Sequence, residues 1–375
     1  MWFVTFVIKS LLRQPARSSF TAIGIGLAVA ATVSLVGISK GFEKSYLELY
    51  SKRGVDLVVQ RSGRTDQVTN TLDESIGERL RELPGVKQVV VALVDVISFE
   101  DADLYVVLVI GWPPASPVFD HLEIISGRRL NDSDEEAVML GRVLAGNLGK
   151  HVGDSIELYG QQFQVVGLFE TTSVYENGSV VVPLAVLQRL TDREHQVTGI
   201  TVEATPGSGS DELEEVKNRI HQIDAGLDVL ASGEFVASIT QIRMARAMAL
   251  VTSIVATVLG GIGVLNTMAM SVYERTREFG LLRALGWSRR RVVRTIVAES
   301  VSLALAGAML GSLIGLALPK LLAQVRAMSG LIEGNIDPLV VVQGFAIALL
   351  MGFLGAAYPA YWGAGLRPVE ALHHK

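Results

Sequence analysis

The densest group of charged side chains lies in one short stretch, Tyr273–Arg294, which reads YERTREFGLLRALGWSRRRVVR. It contains two glutamates, Glu274 and Glu278, among seven arginines. The arginines are Arg275, Arg277, Arg283, Arg289, Arg290, Arg291 and Arg294. Guanidinium groups beside carboxylates form ion pairs and directed hydrogen bonds, so this composition predicts binding chemistry, not bond cleavage. Because the acidic and basic residues are interleaved, we interpret the stretch as a docking surface.

A short helix is predicted inside this stretch. Leu281, Leu282 and Leu285 are spaced so that they form one apolar stripe on a helix. Gly280 and Gly286 are predicted to bracket the helix as breakers or caps. The alternative is a basic loop between membrane spans that only fixes topology, since positive residues near a span end resist translocation.

Catalytic motifs are sparse in the sequence. It contains no GxxxxGK[ST] and no HExxH. It has no cysteine, and its six histidines are scattered. The acidic run 131–136 lacks the spacing of a calcium loop and is more typical of a solvated turn. We therefore expect no catalytic residue, no metal site and no cofactor in this chain.

Charge is distributed unevenly along the 375 residues, of which 49% are hydrophobic. Residues 41–246 hold 18 Lys and Arg against 32 Asp and Glu, a net charge of −14. The remainder holds 15 against 6, a net charge of +9. An acidic segment between basic, apolar ends predicts a domain on one side of a membrane with the basic flanks of its anchors on the other. Binding to nucleic acid is disfavoured because the acidic domain would repel phosphate.

Four long apolar runs predict four transmembrane helices. Phe20 to Ile38 alone is 19 uncharged residues, and at about 1.5 Å per residue this covers about 30 Å, one hydrocarbon core. The predicted spans are 19–40, 247–272, 299–319 and 338–366. A cleaved signal peptide is the rival interpretation of the first run, but the run is too long for one.

Basic residues assign an orientation to these spans. Residues 1–18 are predicted to form an amphipathic interfacial helix, and 273–294 and 367–375 are the other basic flanks. All three lie on one side if there are four spans, so the positive-inside rule predicts that both termini are cytoplasmic. Residues 41–246 and the loop 320–337 are then extracytoplasmic.

Small residues recur every four positions within the spans and predict close helix packing. The predicted packing residues are Ala22, Gly26 and Ala30 in the first span, Gly307, Gly311 and Gly315 in the third, and Gly344 and Gly352 in the fourth. No Asp, Glu, Lys, Arg or His lies inside the apolar runs, and Glu299 borders the third. A transporter driven by protons or ions usually needs an ionisable residue at membrane depth, so the energy source is expected outside the spans.

The extracytoplasmic segment 41–246 is predicted to be a mixed α/β domain. Valine-rich strands and two helices follow in the order β-α-β-β, then β-α-β, as in a split βαβ fold. A β-rich insertion at about 112–197 interrupts this core. Residues 43–52 and 234–246 are predicted to continue the first two spans outward as a helical stalk.

The sequence 272–293, VYERTREFGLLRALGWSRRRVV, resembles the coupling-helix motif of FtsX-like permeases of the MacB/LolC/LolE class. The ending RPVEALHHK and the segment 125–169 resemble the cytoplasmic terminus and the periplasmic core domain of that family. The resemblance covers nearly the whole chain. It implies that the coupling residues dock into a separate cytoplasmic ATPase. These residues are Glu274, Arg275, Arg277, Glu278, Gly280, Leu281, Leu282, Arg283, Ala284, Leu285 and Gly286.

The resemblance also implies a mechanism and partners. ATP and Mg would be bound by the partner ATPase, which we expect to be another polypeptide because this chain starts directly at the interfacial helix. The permease would be a dimer with a second copy or a paralogue, in a bacterial inner membrane, with a periplasmic adaptor or carrier protein as a further candidate partner. The cargo would be a lipoprotein, lipid, peptide or drug. One alternative is a signalling scaffold that activates an extracellular partner such as a cell-wall hydrolase, and a weaker one is a sensor of antimicrobial peptides.

Overall fold

The computed structural model describes residues 15–63, 70–205, 207, 209–325 and 336–365. These residues form two compact units, a helical unit and an α/β unit. The helical unit takes the chain up to Lys40, Ala245–Lys320 and the described residues after 335, and the α/β unit takes Gly41–Met244. The predicted interfacial helix at 1–18 and tail at 367–375 lie almost entirely outside the described residues.

Within the described ranges, four helices are long and apolar enough to cross a membrane. They are α1 (Pro15–Lys52), α8 (Thr240–Glu274), α10 (Arg289–Leu322) and α11 (Pro338–Gly365). Each contains one of the four predicted spans, apart from the last residue of the fourth. The first stalk segment is confirmed as helix, because α1 continues without a break to Lys52. The second is not continuous: α7 (Ser232–Ser238) ends at Ile239, whose ψ of 121° leaves the helical region before α8 begins.

The small residues predicted to pack helices lie where α1 and α10 meet. A Cβ placed on Gly307 would be 2.8 Å from the carbonyl oxygen of Ala22, and one on Gly315 would be 2.8 Å from Cβ of Val33. Such distances are below van der Waals contact, so the backbones approach closely only because no side chain intervenes. The contact is supported by Ser34, whose Oγ donates to the carbonyl of Gly315 at 3.2 Å.

Helix α11 uses its own glycines against the other helices of this unit. A Cβ on Gly344 would lie 2.7 Å from Cγ2 of Val33, and one on Gly352 would lie 2.7 Å from Cβ of Ala304. Ser300 Oγ donates to the carbonyl of Gly352 at 2.7 Å. The predicted stripes therefore face neighbouring helices of the same chain.

Twelve strands, six α-helices and two 3₁₀ turns build the described part of the α/β unit after α1. The strands are β1 (Leu57–Arg61), β2 (Leu72–Asp73), β3 (Val86–Phe99), β4 (Leu104–Trp112), β5 (Glu123–Gly127), β6 (Ala137–Gly141), β7 (Ser155–Leu158), β8 (Gln161–Glu170), β9 (Val180–Pro183), β10 (Gln196–Val197), β11 (Gly199–Ala204) and β12 (Leu227–Ala231). The α-helices before α7 are α2 (Ser75–Arg81), α3 (Arg142–Leu148), α4 (Val174–Asn177), α5 (Leu184–Leu190) and α6 (Ser210–Ile223). A 3₁₀ turn follows β3 and another, Pro117–His121, follows β4.

The core of this unit is an antiparallel sheet in the order β12-β1-β11-β3. Helix α2 joins β1 to β3 through β2, and α6 joins β11 to β12. This connectivity is the split βαβ arrangement that the sequence predicts.

Strand β3 carries the sheet from the core into the insertion. Its first half pairs with β11, from Val86 to Ala92, and its second half pairs with β4. Strand β4 then pairs with β9, and the sheet continues through β6 and β8 to β5. The predicted insertion boundary of 112 therefore needs correction, because β4 is part of the insertion and the insertion begins after Phe99.

The two faces of this sheet are covered differently. Helices α2, α3, α5 and α6 pack on one face and bury side chains such as Leu80 and Ile220. On the other face a cluster around Phe119 lies at the insertion end, and a cluster around Phe235 lies at the core end. Val90, Ala92 and Val94 of β3 point to this second face and are only partly buried.

Candidate functional site: the short helix between the second and third spans

The predicted docking helix is present as α9 (Thr276–Ala284). It ends in a Schellman motif, in which the Gly286 amide donates to the carbonyl of Arg283 and the Trp287 amide donates to that of Leu282, both at 3.0 Å. Gly286 has a φ of +96°, a left-handed conformation that favours glycine. The prediction that Gly286 caps the helix is therefore confirmed at the level of geometry. Gly280 is different, because it lies buried inside α9 and does not bracket it.

One face of α9 packs into the helical unit. Phe279 is 3% exposed and belongs to the apolar cluster of that unit, and Thr276 and Gly280 are also buried. Leu282 packs against the same cluster, so it does not share an outward stripe with the other two leucines. Arg283 points inward as well, since its Nη1 donates to the carbonyl oxygen of Ala364 in α11 at 3.0 Å.

The opposite face of α9 is exposed. Leu281 is 53% exposed and Leu285 is 73% exposed. Three more of the predicted coupling residues are exposed on this helix, namely Arg277, Glu278 and Ala284. We call these five residues the outward face. Exposed leucines with charged residues at their rim are typical of a surface that binds a protein partner.

A buried ion pair fixes the start of α9. Arg275 Nη1 lies 3.0 Å from Glu299 Oε2, and the two side chains are 13% and 9% exposed. Arg275 also pairs with Glu278 at 3.2 Å and places its guanidinium 5.2 Å from the centroid of the Phe279 ring. Arg275 is therefore a residue that positions α9, and it is not available to a partner in the way that the outward face is.

The end of α8 is tied to α1. Arg17 Nη1 lies 3.0 Å from Glu274 Oε2, and Arg17 also donates to the carbonyl of Thr267. On the other side of α9, Arg291 of α10 stacks over Trp287 at 4.3 Å. The short helix thus follows α8, which is tied to α1, and is itself bonded to α10 through Arg275 and to α11 through Arg283.

From the sequence, Glu299 is only the residue at the border of the third span and has no assigned role. Its charge could have indicated an ion pair, because a lone carboxylate beside an apolar span requires a partner. Arg17 carried a similar signal but was assigned to the interfacial helix. The acidic run 131–136 proves to contain a structural turn, in which both oxygens of Asp134 accept from Arg128 at 2.6 and 2.7 Å. This ion pair keeps the pKa of Asp134 below its usual value.

Comparisons with known proteins place the two units in described families. Residues 18–222 match the MacB-like periplasmic core domain, and residues 250–365 match the FtsX-like permease C-terminal family.

Relatives match almost the whole chain. It is 25% identical to the uncharacterized ABC transporter permease YknZ of Bacillus subtilis, covering 99% of this chain and 98% of that protein. It is 25% identical to the uncharacterized ABC transporter permease MJ1507 of Methanocaldococcus jannaschii, covering 98% and 97%. It is 24% identical to the macrolide export ATP-binding/permease protein MacB of Bdellovibrio bacteriovorus, covering 98% of this chain but only 61% of that protein. The chain thus spans about three fifths of MacB.

Among solved structures, the periplasmic region of MacB from Actinobacillus actinomycetemcomitans aligns with a TM-score of 0.40 at 15% identity. The alignment covers 50% of this chain and 94% of that one.

Proposed function

The chain belongs to the FtsX-like permeases with a MacB-like periplasmic core domain, and from this premise we propose that it transmits an ATP-driven movement from an ABC ATPase to its α/β unit. It is a multi-pass membrane protein and a permease of the MacB/FtsX type. The observation that carries the proposal is the outward face of α9. This face exposes two leucines beside charged residues on a helix that is bonded to α10 and α11 and directly follows α8.

In the proposed cycle, ATP closes a pair of ATPase subunits and brings the α9 helices of two permease copies together. The tightly packed α1 and α10 then behave as a lever, because glycine contacts leave little room for sliding. The α/β units close and expel a cargo from the extracytoplasmic space. The cargo class, a lipoprotein, lipid, peptide or drug, belongs to the proposal, as do the dimer, the separate ATPase chain and the bacterial inner membrane.

A signalling scaffold that activates an extracellular hydrolase is the second candidate function. The size of the insertion between β3 and β11 favours transport, since the six strands β4 to β9 supply surface for cargo beyond the split βαβ core.

The proposed function is tested by co-expressing the permease with an ABC ATPase that binds it, either active or with its catalytic glutamate replaced. We expect cargo export in cells to require the active ATPase, with the inactive form reducing export to the level of cells without the permease. Export that continues with the inactive ATPase would contradict the proposal. Activation of a hydrolase by ATP in reconstituted vesicles, without release of cargo, would establish the scaffold instead.

The proposed topology makes a separate prediction. The chain has no cysteine, so single cysteines can be introduced without background. His151, with a side chain 83% exposed, and Arg290, also exposed, mark the two sides. In intact spheroplasts we expect a membrane-impermeant maleimide to label His151→Cys and to label Arg290→Cys only after lysis. Labelling of both positions before lysis would exclude a topology with both termini cytoplasmic.

A further inference from the structure

The incompletely covered face of the sheet in the α/β unit contains a cavity of 140 Å³. Its floor is formed by β11, β3 and β4, through residues such as Val90 and Ala92. Its roof is the end of α1 with Tyr46 and Tyr50, together with Tyr175 of α4. The cavity lies between the two apolar clusters of this face, and most of its lining is apolar.

An ion pair is buried at the wall of this cavity. Arg53 Nη2 lies 2.7 Å from Glu176 Oε2, and the side chains are 10% and 6% exposed. The guanidinium lies 5.3 Å from the centroid of the Trp112 ring. The Nε atom of Arg53 is buried and has no hydrogen-bond partner among the residues that the structure describes. A buried donor without an acceptor is unfavourable, so a ligand that supplies an acceptor here would be stabilised.

The other polar groups of the lining indicate that the ligand is uncharged. Burial raises the pKa of the Tyr46 and Tyr50 hydroxyls, which therefore stay protonated. Glu203 is paired with Lys87, and Glu176 is paired with Arg53. Each carboxylate already has a cation, the guanidinium of Arg53 already has a carboxylate, and His121 of the lining is exposed, so a charged ligand would lose its hydration without gaining a buried counter-charge.

We propose that this cavity binds an uncharged small molecule with an aromatic ring or short aliphatic group and one hydrogen-bond acceptor, which accepts from Nε of Arg53. A cavity of about 150 Å³ lined by apolar side chains is large enough for benzene. The aromatic rings of the lining favour an aromatic ligand, since Tyr46 and Tyr175 lie 4.8 Å apart between ring centroids with their planes inclined at 36° and a further ring can pack against them. The inference goes beyond the proposed function, because binding requires neither ATP nor an ATPase.

The test uses the full chain in detergent and ¹⁹F NMR of three probes: 4-fluorobenzamide, fluorobenzene and 4-fluorobenzoate. We expect saturable binding of 4-fluorobenzamide, weaker binding of fluorobenzene and the weakest binding of 4-fluorobenzoate. Arg53→Lys keeps a cation for Glu176 but removes the Nε donor. It should lower the affinity for 4-fluorobenzamide about tenfold and change that for fluorobenzene by less than about twofold.

Two variants that fill the cavity separate specific binding from uptake by detergent. Val90→Phe should abolish saturable binding of both neutral probes, and the milder Ala92→Leu should reduce it, with folding checked by circular dichroism. Equal binding to wild type and to both filled variants would overturn the site. Tightest binding of 4-fluorobenzoate, or an equal loss of both neutral probes in Arg53→Lys, would overturn the proposed recognition. None of these results bears on ATPase docking, so a failure here leaves the proposed function standing.

Discussion

Replacing Leu281 and Leu285 together by aspartate is expected to abolish co-purification of the ATPase with the permease. These are the two most exposed apolar side chains of α9. Burying a leucine in an interface contributes about 1.5–3 kcal/mol, so the pair accounts for about 3–6 kcal/mol. Since 1.4 kcal/mol is a factor of about ten in affinity, the loss is at least about a hundredfold. The measurement is pull-down of the ATPase on tagged permease, with ATP-driven export as the second readout.

A control variant distinguishes ATPase docking by the outward face from a role of the arginine-rich stretch in fixing membrane topology. Arg289→Gln with Arg290→Gln removes two positive charges just after α9 and leaves the outward face intact. We expect this variant to bind the ATPase nearly as well as wild type. If the aspartate variant also retains the ATPase, the arginine-rich stretch only fixes orientation, and the docking role is contradicted.

The sequence alone could not predict which residues of α9 face outward. Spacing alone groups Leu281, Leu282 and Leu285, because neighbouring leucines span a wide arc of a helix. Which part of the arc faces inward depends on α11, since the bond from Arg283 to the carbonyl of Ala364 fixes the rotation of α9. That contact joins residues 81 apart in sequence, and no local pattern reports it. The prediction that Gly280 brackets the helix was wrong for the same reason. In a sequence, a glycine buried at a close helix contact looks the same as a glycine that ends a helix.

Strands were predicted well where apolar and polar residues alternate. β11 alternates between partly and fully buried residues along its length, the pattern by which a strand is recognised in a sequence. β5 has no such pattern, because none of its residues is fully buried. The break at Ile239 carries no glycine or proline, so the second stalk segment looked like continuous helix. The spans were the clearest feature, since uncharged runs of this length are typical of transmembrane helices.

The buried pair Arg53–Glu176 could not be predicted, because each residue alone resembles a surface charge.

The burial of the Arg53–Glu176 pair leads to the second prediction with a large expected effect. Glu176→Gln leaves the guanidinium of Arg53 buried beside a neutral amide, and breaking a buried ion pair costs about 3–5 kcal/mol. We expect the free energy of local opening to fall by that amount in β4 and β9. Hydrogen exchange measured by mass spectrometry on the full chain in detergent reports this quantity strand by strand.

Two further variants serve as controls for Glu176→Gln. Glu170→Gln removes one partner of the exposed pair with Arg142, whose side chains are 60% and 36% exposed, and should change opening by less than about 1 kcal/mol. The double variant Arg53→Met with Glu176→Leu replaces the buried charges by apolar groups of similar volume. It should recover most of the loss, because apolar replacement of a buried pair is often neutral or stabilising. If Glu176→Gln opens no more readily than Glu170→Gln, water must reach the pair. The cavity would then be too polar for the uncharged ligand proposed above.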